Sequence, residues 1–214
     1  MLRLNKKIKL YGLPRSGTNF LEFLLIKNYH VDIATLEQGW KHERINSNLT
    51  SIAIVKNPFS WLRSIHEFTL GREHIFKRYL PFSDFLREEY IWDSDLYGKG
   101  TDRVYIHHEN PIVYWNTMNK HWMQNATVWV QYETVLSGDL DKINFRKKRE
   151  SILWPDQIIK PGKGRFAEDL SGDENNSYEK KEYYLNKSYM NYYTKEDVDF
   201  VNNCVDCELT KFLQ

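Results

Sequence analysis

Near the start of the chain, "KLYGLPRSGTNFLEFLLIKN" sets two glycines, Gly12 and Gly17, between a strand-like segment and a helix-like one. Lys9 to Leu13 reads as a short strand, and Gly17 to Asn28 carries a helical apolar pattern through Phe20, Leu21, Leu24 and Leu25. A strand, a tight turn and a helix in this order aim backbone N–H groups and a helix N-terminus at one point, which favours an anion. The glycines have the spacing of the nucleoside-triphosphate loop G-x-x-x-x-G-K-[ST], yet Thr18 stands where that loop has lysine. The loop's one cation is Arg15. Such a loop is either an ordinary turn or a cradle for an anion unlike the β- and γ-phosphates of ATP.

The rest of the chain repeats the strand-then-helix pattern. Val31 to Leu36 and Ser51 to Val55 are strand candidates, the second apolar throughout as in a strand buried on both faces. It runs into "KNPFSWLRSIHEF", where Asn57 and Pro58 read as N-cap and first helical residue, and Trp61, Leu62, Ile65 and Phe68 as the buried stripe. Asn110-Pro111 repeats that signal before a helix with Ile112, Trp115, Met118 and Trp122 on one face. Thr127 to Glu133 is the last clear strand, and Asp139 to Glu150 reads as a charged, solvated helix. Thr194 with Asp197 forms a capping box for a final helix running to Phe212. Residues 72–109 give no clear pattern. The alternation predicts a single α/β domain over 1–214, three layers deep around a central parallel sheet with a P-loop-like turn.

Composition narrows the function. Lys and Arg number 30 against 29 Asp and Glu, so the cationic surplus of a nucleic-acid binder is missing. No long apolar run suggests a membrane span or a signal peptide, and the expected location is cytoplasmic. Cys204 and Cys207 form one C-x-x-C without a second ligand pair, so no metal site is expected. Lys56, at the end of a parallel strand, belongs to the ligand-facing edge of the sheet, and Ser64 follows in the next helix.

Together these segments resemble the sulfotransferase family, whose donor is 3′-phosphoadenosine 5′-phosphosulfate. Pro14, Arg15, Ser16, Gly17, Thr18, Asn19 and Phe20 are similar to its 5′-phosphosulfate loop, P-[KR]-S-G-T followed by a polar residue and an aromatic. Lys56, Asn57, Pro58 and Ser64 resemble its 3′-phosphate motif, with Lys for the commoner Arg. "GWKH", "NPIVYWNTMNKHW" and "VQYETVL" follow in family order, so the resemblance covers most of the chain, with the two anion motifs as its specific part.

The resemblance implies a role for each matching residue. Ser16, Gly17, Thr18 and Asn19 hold the 5′-phosphate, and Phe20 stacks on adenine. Arg15 lies at the bridging oxygen, where charge gathers as the phosphate leaves. Lys56 and Ser64 take the 3′-phosphate, and Tyr132 lines the adenine pocket. The 3′-phosphate loop near the C-terminus falls on Gly162 to Arg165 (Lys163, Gly164 and Arg165) or on Lys180–Lys181. His42, with a pKa near neutrality, is the expected base for an acceptor hydroxyl, and Glu37 or Glu43 is the alternative. A transferring sulfuryl group carries less charge than a γ-phosphoryl group, so neither the loop lysine nor a metal is required. The implied reaction moves a sulfuryl group to a hydroxyl or amine, of a carbohydrate, a tyrosine or a small molecule, and leaves adenosine 3′,5′-bisphosphate. A small P-loop kinase and a nucleotide-binding protein without turnover are the competing readings.

Overall fold

The computed structural model describes residues 5–34, 41–45, 48–70, 80–93, 105–154 and 177–211. Glu37 and the Lys163, Gly164, Arg165 loop lie outside the described residues. In chain order the first elements are β1 (Lys6–Tyr11), α1 (Thr18–Asn28), β2 (Val31–Ile33), β3 (Thr50–Val55) and α2 (Pro58–Leu70). They are followed by α3 (Phe82–Arg87), β4 (Tyr90–Asp93), β5 (Tyr105–His108), α4 (Pro111–Asn125), β6 (Val128–Gln131) and α5 (Tyr132–Ser137). The last are α6 (Ser177–Leu185), a 3₁₀ turn (Ser188–Tyr192), α7 (Lys195–Cys204) and α8 (Cys207–Thr210).

The chain divides into two compact units, one drawn from 1–57 and 119–188, the other from 58–118 and 189–214. The first holds a four-stranded sheet of order β2-β1-β3-β6 in which every pair is parallel. This is the α/β fold that the alternation predicts, a central parallel sheet flanked by helices. Ile8, Leu10, Ile52, Ile54 and Val130 form a core with Phe20, Leu21, Leu24 and Leu25 of α1 and Val135 and Leu136 of α5. Each such side chain contributes roughly 1.5–3 kcal/mol when fully buried. Because all four strands run the same way, their C-terminal ends share one edge.

Two expectations in this unit are corrected. Asp139–Glu150 is not a helix but an irregular segment laid beside residues 28–30. His30 N–H donates to the Arg146 carbonyl at 2.9 Å and Lys148 N–H to the Asn28 carbonyl at 2.7 Å. Tyr29 and Lys147 form an antiparallel bridge. Ile143 is buried in the core and Phe145 packs against it, so the two apolar residues outweigh the helical propensity of the charged ones. The strand expected over Thr127 to Glu133 is also shorter, since the chain turns into α5 at Tyr132.

The second unit is organised by aromatic residues. Helix α2 buries Trp61, Leu62 and Ile65, three of the four stripe positions, and leaves Phe68 half-buried. The Trp61 ring meets Tyr90 edge-on at 6.5 Å, and Tyr90 stacks on Tyr114 at 5.1 Å. Strands β4 and β5, which the sequence did not announce, pair antiparallel with Tyr90 opposite His108. Asn110 caps α4, its Oδ1 accepting from the N–H groups of Ile112 and Val113 at 3.0 Å each. Asn110→Ala is expected to lower stability by about 1 kcal/mol. A urea titration would read this as a lower midpoint at unchanged slope, and an unmoved midpoint would refute the cap's contribution.

The Thr194–Asp197 capping box is present, but the final helix does not run unbroken to Phe212. It stops at Cys204, where Val205 takes an extended conformation, and Asp206 caps the short α8. Asn116 holds the break from both sides. Its Nδ2 donates to the Cys204 carbonyl at 2.7 Å, and its Oδ1 accepts from Asp206 N–H at 3.0 Å.

Candidate functional site

The β1–α1 turn sits at the edge where the parallel strands end, and its backbone is shaped for closeness. Gly12 leaves β1 where a Cβ would lie 2.8 Å from the Ile54 carbonyl oxygen and 2.7 Å from Ser16 Oγ. Ser16 folds inward, its hydroxyl donating to the Leu13 carbonyl at 2.6 Å and its N–H to the same oxygen at 3.0 Å. Arg15 and Gly17 on either side of it are left-handed, with φ of 68° and 93°. Alternation of this kind turns successive N–H groups toward one side, as in an anion-binding nest. Gly17 is also the N-cap of α1 and supplies no side-chain acceptor to the first helical N–H groups. Arg15 and Asn19 are exposed, whereas Ser16 and Thr18 are buried.

The turn rests on an aromatic floor. A Cβ on Gly17 would lie 2.4–2.5 Å from the Tyr132 ring, so the backbone at Gly17 packs directly against it. Phe20, expected to be a platform for adenine, is instead a core residue, 4% exposed and edge-on to Tyr132 at 5.9 Å. Its i, i+4 relation to Leu24 on the apolar stripe of α1 accounts for that burial. Tyr132 itself is buried, which holds its phenol well above the usual tyrosine range, with Tyr184 and Glu133 adding to the effect and Arg15 opposing it.

Lys56 follows the last residue of β3 and is only 3% exposed. Its Nζ donates to the Arg15 carbonyl at 3.4 Å and lies 3.9 Å from the Tyr184 ring centroid and 4.9 Å from that of Tyr132. The next residue, Asn57, donates its N–H to the Glu133 carboxylate at 3.2 and 3.3 Å. The strand end is thereby tied to α5. Ser64, the expected companion of Lys56, is a buried residue of α2 in the second unit. Lys181 is half-buried on α6, with its ammonium 5.8 Å from the Trp154 ring centroid.

Residues 41–45 cross the same edge as a strap. Gly12 N–H donates to the Lys41 carbonyl at 3.0 Å, and His42 Nδ1 bonds the Gly12 carbonyl. The strap is held further by Trp122 Nε1 donating to the Glu43 carbonyl and by Ile45 N–H donating to His121 Nε2. Glu43 reaches Lys9 at 3.9 Å, and the Lys41 ammonium bonds Asn19 Oδ1, joining the strap to the first turn of α1. His42 is 5% exposed, and burial with the Lys41 charge beside it pushes its pKa down to about 3. The near-neutral value expected from the sequence therefore does not hold. A carbonyl can only accept, so Nδ1 carries the hydrogen and Nε2 the lone pair.

Turn, Lys56, Tyr132 and His42 thus meet at one edge of the first unit. Sequence reasoning missed Tyr184, for which no motif or periodicity gave a signal, and the Lys9–Glu43 pair that anchors the strap. Among the described residues no group of three or more His, Cys, Asp and Glu side chains is placed to hold a metal ion, and no helix is long and apolar enough to cross a membrane. No family model matches the chain, and neither a curated protein nor a solved structure does.

Proposed function

We propose that the β1–α1 turn binds the 5′-phosphosulfate of 3′-phosphoadenosine 5′-phosphosulfate and that the chain transfers the sulfuryl group to a hydroxyl or amine acceptor. The observation that carries this reading is the turn itself. Left-handed residues flank Ser16, the N-terminus of α1 has no side-chain cap, and an exposed arginine stands where an ATP loop has none. These features fit a compact anion. The donor's 5′ end would be held by the N–H groups around Gly17 and by Thr18 and Asn19.

In the transfer, the bond between sulfur and the bridging phosphate oxygen breaks and one from the acceptor oxygen or nitrogen to sulfur forms. Arg15 offsets the charge left on the phosphate. The acceptor's proton passes to a base on the strap, for which His42 Nε2 and the more exposed Glu43 carboxylate are the two candidates, and adenosine 3′,5′-bisphosphate leaves. Lys56 supplies the second cation, for the 3′-phosphate. With Phe20 buried, the adenine ring must stack on another surface.

Calorimetry tests the assignment. Adenosine 3′,5′-bisphosphate should bind at least about tenfold more tightly than AMP and without divalent metal, since a charge-assisted contact is worth about 1.5–3 kcal/mol. Lys56→Met, which keeps the buried stem, should remove most of that preference and leave AMP binding nearly unchanged. Equal affinities for the two nucleotides in the parent protein, or tighter binding of ATP with Mg²⁺, would sink the reading in favour of a kinase.

A further inference from the structure

The Lys56 ammonium does not stand alone at the end of β3. Tyr184, on α6, lies far from it in sequence, yet its ring centroid is 3.9 Å from Nζ, closer than that of Tyr132 at 4.9 Å. The two rings meet edge-to-face at 5.2 Å and 90° and form two walls of a box around the cation. Tyr183 packs edge-on against Tyr184 at 5.2 Å and steadies it. The Arg15 carbonyl, 3.4 Å from Nζ, contributes a further contact from the turn. Ring, ammonium and loop carbonyl are therefore in contact in series.

A lysine stem has four rotatable bonds, and its compact charge is useful to a ligand only where it is held. A ring face attracts the ammonium through its quadrupole without offering an acceptor that competes for all of its hydrogens. Two tyrosine rings hold it in place.

We infer that Tyr184 is a positioning residue, which with Tyr132 fixes the Lys56 ammonium against the turn and so sets the preference for a ligand with a second anionic group. The inference rests on the role given to Lys56 above. It also assigns a function to a residue of α6. The phenol hydroxyl is not needed for this role, whereas the ring is.

Two variants and two readouts test it. Tyr184→Phe keeps the ring and Tyr184→Leu removes it while keeping apolar bulk. Tyr184→Leu should weaken adenosine 3′,5′-bisphosphate about tenfold with AMP unchanged, and Tyr184→Phe should stay within about twofold for both. The second readout needs no nucleotide. Lysines are acetylated with an N-hydroxysuccinimide ester and quantified peptide by peptide. Lys56, buried under the ring, should react slowly in the parent and in Tyr184→Phe, and several-fold faster in Tyr184→Leu.

Lys9, 2% exposed in the same sheet, is the internal control. General loosening would expose both lysines, whereas loss of the box exposes Lys56 alone. If the parent protein binds no bisphosphate, the functional reading fails while the labelling still decides the role of Tyr184. Unchanged Lys56 labelling in Tyr184→Leu, equal acceleration at Lys9, or equal loss of affinity in both variants would overturn the inference.

Discussion

Gly17→Ala should weaken the proposed anion binding at the β1–α1 turn about a hundredfold and lower the stability of the first unit by about 2–4 kcal/mol. Two costs add. Alanine at φ +93° takes on left-handed strain of about 1 kcal/mol, and its methyl group would sit 2.4–2.5 Å from the Tyr132 ring. Tyr132 has no space to retreat, being buried with Phe20 at 5.9 Å and Tyr184 at 5.2 Å, so overpacking adds about 1–3 kcal/mol. The turn would have to lift off its floor, and the N–H groups would no longer converge. Losing two charge-assisted contacts of about 1.5–3 kcal/mol each should weaken adenosine 3′,5′-bisphosphate by on the order of a hundredfold or more.

A double-mutant cycle separates the two costs. In a Tyr132→Ala background the clash disappears and the strain stays, so Gly17→Ala should cost only about 1 kcal/mol there. The measurements are urea titration and calorimetry on all four proteins. A Gly17→Ala protein with the parent's midpoint and affinity would show that Gly17 is not close-packed on Tyr132.

What the sequence showed, and what it hid, follows from where each signal resides. The turn was legible because its chemistry is local. Glycines at 12 and 17, Arg15 between them and an apolar helix after them act within a few residues of one another. Lys56 was legible for a similar reason, since the residue after a continuous apolar strand must lie on the edge where the parallel strands end. Asn110 and Thr194 announced helix starts by the side-chain oxygens they bring to the next N–H groups.

Tyr184 was not legible, because what matters about it is the ring it presents to a lysine far away in sequence. In a tyrosine-rich stretch nothing marks one ring over another. The histidine showed the opposite problem: its place in the sequence drew attention, but its pKa depends on a strap that buries it. Residues Asp139–Glu150 misled through composition. Their charges read as a solvated helix, while Ile143 and Phe145 are what the fold uses. Phe20 was assigned by family position to a ligand, though its spacing along α1 already put it on the buried stripe.

His42 yields the other large effect, and one substitution separates its two roles. The folded protein holds its pKa at about 3, against an ordinary value of 6.5. As pH falls below about 6.5, the unfolded chain takes up a proton that the folded chain excludes. Stability should therefore fall steadily from about pH 6.5 to pH 3 and level off below that, as far as this group is concerned. The full loss is on the order of a few kcal/mol, a large share of a typical domain's stability. His66, His108 and His121 are lowered by burial too and slope the same way. The buried Asp197, held down by Arg87, Ser83 and Thr194 against the pull of its own burial, acts only below about its ordinary value of 3.8.

His42→Asn removes the titration but keeps a donor where Nδ1 stands, so Asn Nδ2 can still reach the Gly12 carbonyl. The variant should lose less stability than its parent between pH 6.5 and pH 4, while the slope from the other histidines remains. On the proposed reaction it also removes the lone pair at Nε2, and sulfuryl transfer should drop by about tenfold or more with bisphosphate affinity little changed, a smaller loss than for a base whose pKa matches the working pH. A base with a pKa of about 3 is already deprotonated across the working range. The parent's kcat/KM should accordingly show no acid limb near pH 6.5 that can be assigned to this residue. Transfer at the parent's rate in His42→Asn would move the base to Glu43, at the next position of the strap. A limb near 6.5 that disappears in His42→Asn would mean instead that His42 titrates as an open histidine and that the strap does not seal it in solution.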